Sequence, residues 1–433
     1  MATLLAMLLP GCGVQNIELA PEQGEILLLE AVPTSAIVRL QQAADAKPEP
    51  RLSLSYPADG SALPANLGPI AFLFGSDMKP MDAMTAMTAM KEPKAPKEPK
   101  NELVAYELRL RSETTDLRLY TTQTSASVPT QRWRELLQRH QGGEIEVELR
   151  ALAEPDRVIA SKPIHMRVLA PTASDAFAYW SDTRTAAVGA RFDAEPTTAP
   201  GAFPTLDPWL SLSPDGSYRA SARDGALSLT FGGSNVELPW AARWLVDYPA
   251  WSPDGSSLLL SGWRASMPMM MPMMMPAETL TAGNLLRAQL LGPTSLAEPT
   301  PLLSLAEADE SVRSPVYSND GAFIAFERLK GKDKNGKLWL MSAQGGEPWQ
   351  VAAKMGWQGE CAFPTWFASA ASDEYWLVCS QARLPTGKAE AEAAQLWMLA
   401  LRSAAGGKLE LAGEPFWLPS QEAEGKNRRA LAY

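Results

Sequence analysis

The sequence predicts an all-β protein in two parts, a β-sandwich followed by a β-propeller of about six blades. Three observations carry this. Of 433 residues, 36 are Pro, 30 are Gly and 14 are Trp, a balance that favours turns and strands over helices. Short alternating segments follow one another with no βαβ rhythm. In the second half a Ser-x-Asp-Gly motif recurs at a spacing suited to propeller blades. Apolar residues make up 46% and charged residues 20%, enough for a sizeable core under a soluble surface. Lys and Arg number 39 against 49 Asp and Glu, a net charge of −10. Nothing broad would neutralise phosphates, so no nucleic-acid partner is expected. With only two histidines, His140 and His165, most His-based metal sites and catalytic triads drop out.

The chain opens with a short apolar run, Ala2–Leu9, ending in Leu9-Pro10-Gly11-Cys12. The run is too short to span a bilayer, which takes about 20 residues, and fits the apolar part of a secretory signal. Its ending resembles the lipobox of bacterial lipoproteins. There the signal is cut before the cysteine, whose sulfur takes a diacylglycerol. The resemblance implies a signal peptide over 1–11, lipidation at Cys12 and a tether over 12–50. One weak strand is expected near Glu25–Glu30, and Ala46–Pro50 reads as a stiff linker.

Residues 51–170 form the expected sandwich. Leu52–Tyr56 alternates and runs into an Asp59-Gly60 turn. Further strands follow at Pro69–Phe74, Leu103–Arg111, Asp116–Thr121, Glu144–Leu149 and Ile164–Leu169, with one short helix at Trp133–His140. The strand lengths and the Asp-Gly turn resemble bacterial extracellular immunoglobulin-like or fibronectin-like modules. An insertion at 77–100 interrupts them. Met78, Met81, Met84, Met87 and Met90 recur every three residues, and then Lys and Pro do so from Lys91 to Lys100. Three is the polyproline II period, so the insertion reads as an exposed, extended loop.

The repeat occupies 173–433. Its clearest copies are Leu212-Ser213-Pro214-Asp215-Gly216, Trp251-Ser252-Pro253-Asp254-Gly255 and Tyr317-Ser318-Asn319-Asp320-Gly321. In each, the Asp side chain caps a tight turn and the Gly supplies positive φ, so Asp215, Gly216, Asp254, Gly255, Asp320 and Gly321 are assigned structural roles. The Asp residues fall 39 and then 66 apart. The first interval is one blade; the second is a blade plus an insertion at 266–277. A fourth unit keeps Phe363-Pro364-Thr365-Trp366 without the turn signature. The set resembles the TolB-like β-propeller family, whose blades carry Trp-Ser-Pro-Asp-Gly. That resemblance implies a propeller binding protein partners at the cell envelope. Trp251 is expected between neighbouring blades. Some envelope proteins of this build carry Cys-x-x-Cys-His for haem before the first repeat. Here Asp207-Pro208-Trp209-Leu210-Ser211 stands there, and no cofactor is expected.

No nucleophile elbow, His-Glu-x-x-His or phosphate loop occurs, so the chain is read as a non-enzyme. Asp333-Lys334-Asn335-Gly336 reads as a hairpin turn, since Gly331 replaces the first acidic ligand of a calcium loop. Cys361 and Cys379 flank a small-residue loop centred near Ala370. They are either a disulfide across two antiparallel strands or two separately buried thiols. The segment with Met267, Met269, Met270, Met271, Met273, Met274 and Met275 offers soft thioether ligands suited to copper or silver. The expected protein is a non-catalytic, lipid-anchored envelope protein, at the outer membrane, whose propeller binds or scaffolds other envelope proteins. The alternatives are a soft-metal-binding envelope protein and a hydrolase-associated propeller without its catalytic domain.

Overall fold

A computed structural model describes residues 15–17, 24–43, 46–76, 103–153, 157–174, 176–181, 186–192, 194–198, 207, 209–223, 225–236, 238–264, 283–307, 309–331, 336–351, 359–381, 394–419, 421 and 427–432. Strand is the main element among them, with two short α-helices. The chain divides into two compact units, with the boundary between Ala170 and Pro171.

The first unit is built on two sheets. The larger orders its strands Gln15–Ile17, Glu25–Leu28, Asp116–Thr121, Leu103–Arg111, Glu144–Ala153, Ile164–Leu169 and Ser61–Pro64, with Arg157–Ala160 paired to Glu144–Ala153. The smaller holds Leu52–Tyr56, Ala71–Ser76 and Ser125–Ser127. Alternation decides which side chains meet. Along Leu103–Arg111, Tyr106, Leu108 and Leu110 are buried, and Phe74 of the smaller sheet lies 5.0 Å from Tyr106, ring to ring. The helix Thr130–Arg139 adds Trp133, edge-on to Phe72 at 6.0 Å. It begins three residues before the expected Trp133, directly after Pro129, whose fixed φ suits a helix start.

Residues 12–50 are more than the expected tether. Glu25–Leu28 pairs in parallel with Asp116–Thr121. A helix, Thr34–Gln42, then places Ala36 and Leu40 in one buried cluster with Ile26, Ala105, Tyr120 and Leu152. Nine residues are too few to hold a helix in water, and the apolar stripe is narrow. The sheet supplies the other half of the contact, which a sequence pattern does not display.

The second unit is a series of antiparallel sheets in chain order, the strand order of propeller blades. The second sheet runs Leu210–Leu212, Tyr218–Arg223, Ala226–Phe231 and Ser234–Asn235. The third runs Trp244–Trp251, Ser257–Arg264, Asn284–Gly292 and Ser295–Leu296, with Thr300–Leu303 also on Asn284–Gly292. The fourth runs Glu310–Tyr317, Phe323–Lys330, Lys337–Ser342 and Trp349–Gln350. The fifth runs Ala362–Phe367, Glu374–Gln381, Gln395–Ser403 and Leu409–Leu411, with Phe416–Trp417 on Gln395–Ser403. The first sheet is Ala176–Ser181, Ala186–Arg191 and Ala194–Thr198, completed by Asn427–Ala432 from the far end of the chain. Phe177 of the first sheet meets Phe367 of the fifth at 6.3 Å, and Ser380 Oγ donates to the Asn427 carbonyl at 2.7 Å.

Five such sheets are found among the described residues, where about six blades were expected. The expectation divided the length by a uniform repeat. The third sheet alone spans Trp244 to Leu303 because residues 265–282 interrupt it. Between sheets the contacts are apolar. Tyr218 and Leu229 pack with Trp244, Val246 and Trp251; Leu259 and Leu285 with Val312 and Ile324; Leu338 and Leu340 with Cys361, Trp366 and Leu377.

Candidate functional site

The three Ser-x-Asp-Gly turns are built alike. Ser213 Oγ donates to Asp215 at 2.5 Å and accepts the Tyr218 N–H at 2.9 Å, while Asp215 also accepts the Ser217 N–H at 3.1 Å. Ser252, Asp254, Ser256 and Ser257 repeat this at 2.6, 2.9 and 3.0 Å. Ser318, Asp320, Ala322 and Phe323 repeat it at 2.5, 2.9 and 3.0 Å. Gly216, Gly255 and Gly321 have φ of 71°, 69° and 72°, a region that Cβ disfavours. The donated bonds, first that of Ser213, hold the Asp215 carboxyl down at about 2. The carboxylate contacts of Asp215 and Asp254 serve the turn. Asp320 alone reaches beyond it, accepting the Tyr375 hydroxyl of the fifth sheet at 2.9 Å.

A second repeated feature lies six residues ahead of each turn Asp, at Trp209, Tyr248 and Ser314. Phe363 holds the same place three residues before Trp366, as Tyr248 does before Trp251. Among the described residues, Tyr248, Ser314 and Phe363 are the non-glycine residues with positive φ, at 52°, 45° and 53°. Each precedes a proline, and each sits where its strand carries one residue more than its partner, between Asp247 and Ala250, Arg313 and Val316, and Ala362 and Thr365. Proline lacks the N–H a ladder needs, so it is accommodated at a bulge. The pairing of Ala176–Ser181 with Asn427–Ala432 in the first sheet also carries a register shift, between Tyr179 and Trp180.

These bulges converge. Tyr248, Pro249, Ser314, Pro315, Val316, Phe363 and Pro364, from three successive sheets, line one cavity. Their strands are therefore the inner ones, at the propeller axis. Trp209 extends the ring to the second sheet, stacked on Tyr248 at 6.3 Å. Arg223 lies over the Trp209 ring at 4.9 Å and pairs with Asp207 at 3.4 Å. Positive φ at a bulky residue costs about 1–3 kcal/mol and persists only where the surroundings enforce it. Here it recurs in three sheets around one point.

Charge is buried beside this ring. Glu327 lies opposite Arg313 in the fourth sheet, 4% exposed, and accepts the Gly336 N–H at 3.3 Å. Gly336 is required there, because a Cβ would stand 2.0 Å from Glu327 Cγ. Burial pushes the Glu327 carboxyl up from 4.5 to about 7, against the pull of Arg313. Burial also raises the Tyr248 phenol, which feels the charges of Arg313, Glu327 and Asp247. A carboxyl whose folded value is raised contributes stability below its unfolded value and loses it as pH rises through the folded one. Glu327→Gln is therefore expected to remove a loss of stability that the parent shows between pH 4.5 and about 7, read by urea unfolding at pH 5 and pH 8.

Cys361 and Cys379 are joined by a disulfide between adjacent strands, with Cα atoms 5.4 Å apart. His140 follows the Thr130–Arg139 helix and meets the Ser112 and Thr115 hydroxyls, and His165 is half exposed beside Asp59. Among the described residues no group of three or more His, Cys, Asp or Glu could hold a metal ion. Cys12, Met78–Met90, Lys91–Lys100, Met267–Met275 and Asp333–Asn335 lie outside the described residues. The axial ring was missed in the sequence. Its signal is the recurrent Pro two residues before the aromatic position, in Tyr248-Pro249, Ser314-Pro315 and Phe363-Pro364.

No protein-family model matches the chain, and no curated protein matches it. Solved structures do. A protein described as TolB from Agrobacterium tumefaciens is 16% identical, covering 57% of this chain and 83% of that one, with a TM-score of 0.30. An oligogalacturonate lyase in complex with manganese is 14% identical, covering 62% of each chain, with a TM-score of 0.29. A hypothetical selenium-binding protein from Sulfolobus tokodaii is 9% identical, covering 77% of this chain and 94% of that one, with a TM-score of 0.32. At such scores the strand order within this chain, and not the likeness, identifies the propeller.

Proposed function

We propose that this chain is a non-catalytic, lipid-anchored protein of the bacterial cell envelope, with an immunoglobulin-like module and a TolB-like propeller that holds a protein partner at its axis. The observation that carries the reading is the ring of Trp209, Tyr248, Ser314 and Phe363, four equivalent positions on successive inner strands. Bulges with positive φ are costly, and their repetition around one point fits selection for what they present. Aromatic side chains are the groups that most often anchor a partner. The Leu9-Pro10-Gly11-Cys12 ending supports the anchor. Among the described residues no helix is long and apolar enough to cross a membrane.

Two experiments test this. Cys12→Ala should shift the protein from the membrane fraction to the soluble fraction; retention in the membrane at full precursor mass overturns the anchor. A photocrosslinking residue at Trp209 should give a discrete adduct that Phe363→Ala abolishes, while one at Ser234 on an outer strand gives none. The same adduct from both positions would mean that the axis is not the contact.

A further inference from the structure

The first unit begins its sheet closer to Cys12 than a tether would allow. Gln15–Ile17 pairs with Glu25–Leu28, and Gln15 stands opposite Leu28. Gln15 is three positions after Cys12. One residue spans at most about 3.6 Å, so Cys12 lies within about 11 Å of Gln15 in any conformation. That bound fixes which end of the sheet the cysteine is near. Leu28 pairs with Tyr120, and Thr121 with Tyr106. Beyond this level come the 29–33 loop, which leads into the helix Thr34–Gln42, and the Thr122-Gln123 turn. The Leu29 N–H donates to the Tyr120 carbonyl at 3.1 Å. Glu30 ties loop to turn, accepting the Thr121 and Thr122 hydroxyls at 2.8 and 3.0 Å and the Gln123 amide at 3.3 Å. The exposed residues of this rim, Ala31, Pro33, Thr34, Ser35, Thr122 and Gln123, carry no charge. The opposite end of the same strands carries Arg111, Glu113, Asp116, Glu144 and Glu146. In a chain of net charge −10, the uncharged rim is the end that an anionic bilayer repels least.

We propose that this rim is a membrane-contact surface, seated against the phospholipid headgroups by the lipid on Cys12. It rests on the lipid anchor proposed above. A link of three residues leaves the first unit no slack, so the anchored end of the sheet meets the headgroup layer. That layer offers hydrogen-bonding partners to the hydroxyls and amides of the rim. It also offers them to the outer edge of Gln15–Ile17, which has no strand partner among the described residues.

The test uses the full lipidated chain in vesicles of phosphatidylethanolamine and phosphatidylglycerol that contain a lipid with a nitroxide on its headgroup. A fluorescent noncanonical residue is placed at Ala31, Thr122 or Glu113. At Ala31 and Thr122 it should be quenched at least about twofold, and at Glu113 not at all, because Arg111 already lies about 17 Å down the strand from Tyr106. A Gly-Ser spacer of about 20 residues between Val14 and Gln15 lengthens the link by about 25 Å. It should remove the quenching at Ala31 while the chain stays in the membrane fraction. The mass of the N-terminal peptide reports whether Cys12 carries diacylglycerol. In a chain that carries it, equal quenching at Ala31 and Glu113 overturns the contact surface alone, as does quenching unchanged by the spacer. A chain without the lipid overturns the anchor and this surface with it.

Discussion

Trp251→Ala is expected to lower the stability of the propeller by about 3–5 kcal/mol, the cost of truncating a buried tryptophan. Trp251 ends the inner strand of the third sheet and is 7% exposed. Its ring lies 5.4 Å from Tyr218 of the second sheet, which in turn packs at a tilt on Phe231 at 4.6 Å. The truncation therefore opens a void between two sheets, where neither can close it without moving its own strands. Gly255→Ala, four residues on, is the control. The added Cβ would meet Pro214 at 3.6 Å, an ordinary contact, so its cost is the φ of 69° alone, about 1–2 kcal/mol. Urea unfolding of both variants separates the terms. A Trp251→Ala variant as stable as the parent would mean that the ring is not part of an inter-sheet core.

Removing the disulfide by Cys361→Ala with Cys379→Ala should cost about 3 kcal/mol, the amount expected for a cross-link closing a loop of this length. Its position gives it a second role. Cys379 stands opposite the Phe363-Pro364 bulge, and Cys361 two residues before Phe363. The equivalent pairs are Val246 with Leu260 in the third sheet and Val312 with Phe326 in the fourth, all buried. The fifth sheet thus uses a covalent bond where its neighbours use apolar packing to support the bulge. The Cys361→Val, Cys379→Leu pair, copied from the third sheet, should recover part of the loss, because it refills the void but restores no cross-link. Chemical unfolding without reductant reads both. No loss in the alanine pair would show that packing alone holds the fifth bulge.

The repeat was legible because its turns are local. Ser213-Pro214-Asp215-Gly216 and its two copies close their hydrogen bonds within six residues, so residue identity and spacing contain the geometry. The alternating strand Leu103–Arg111 was legible for a similar reason, since period two is a property of the strand itself. The helix Thr34–Gln42 was not. Its stripe of Ala36 and Leu40 acquires meaning only against Tyr120 and Leu152, which lie far along the chain. The blade count stayed open for a related reason, because a repeat length cannot reveal how many residues one sheet spends on an insertion.

By itself the sequence determined the all-β class, the division near residue 170 and the turn chemistry at Asp215, Asp254 and Asp320, while it left Cys361 and Cys379 open between a disulfide and two separate thiols. Each follows from contacts between residues close in sequence, where propensity and spacing act directly. Only the tertiary structure decided the five sheets, the pairing of Ala176–Ser181 with Asn427–Ala432, and the meeting of Tyr248, Ser314 and Phe363 at one cavity. Those contacts join residues tens to hundreds of positions apart. The register of several sheets acting together sets them, and no single segment carries that information.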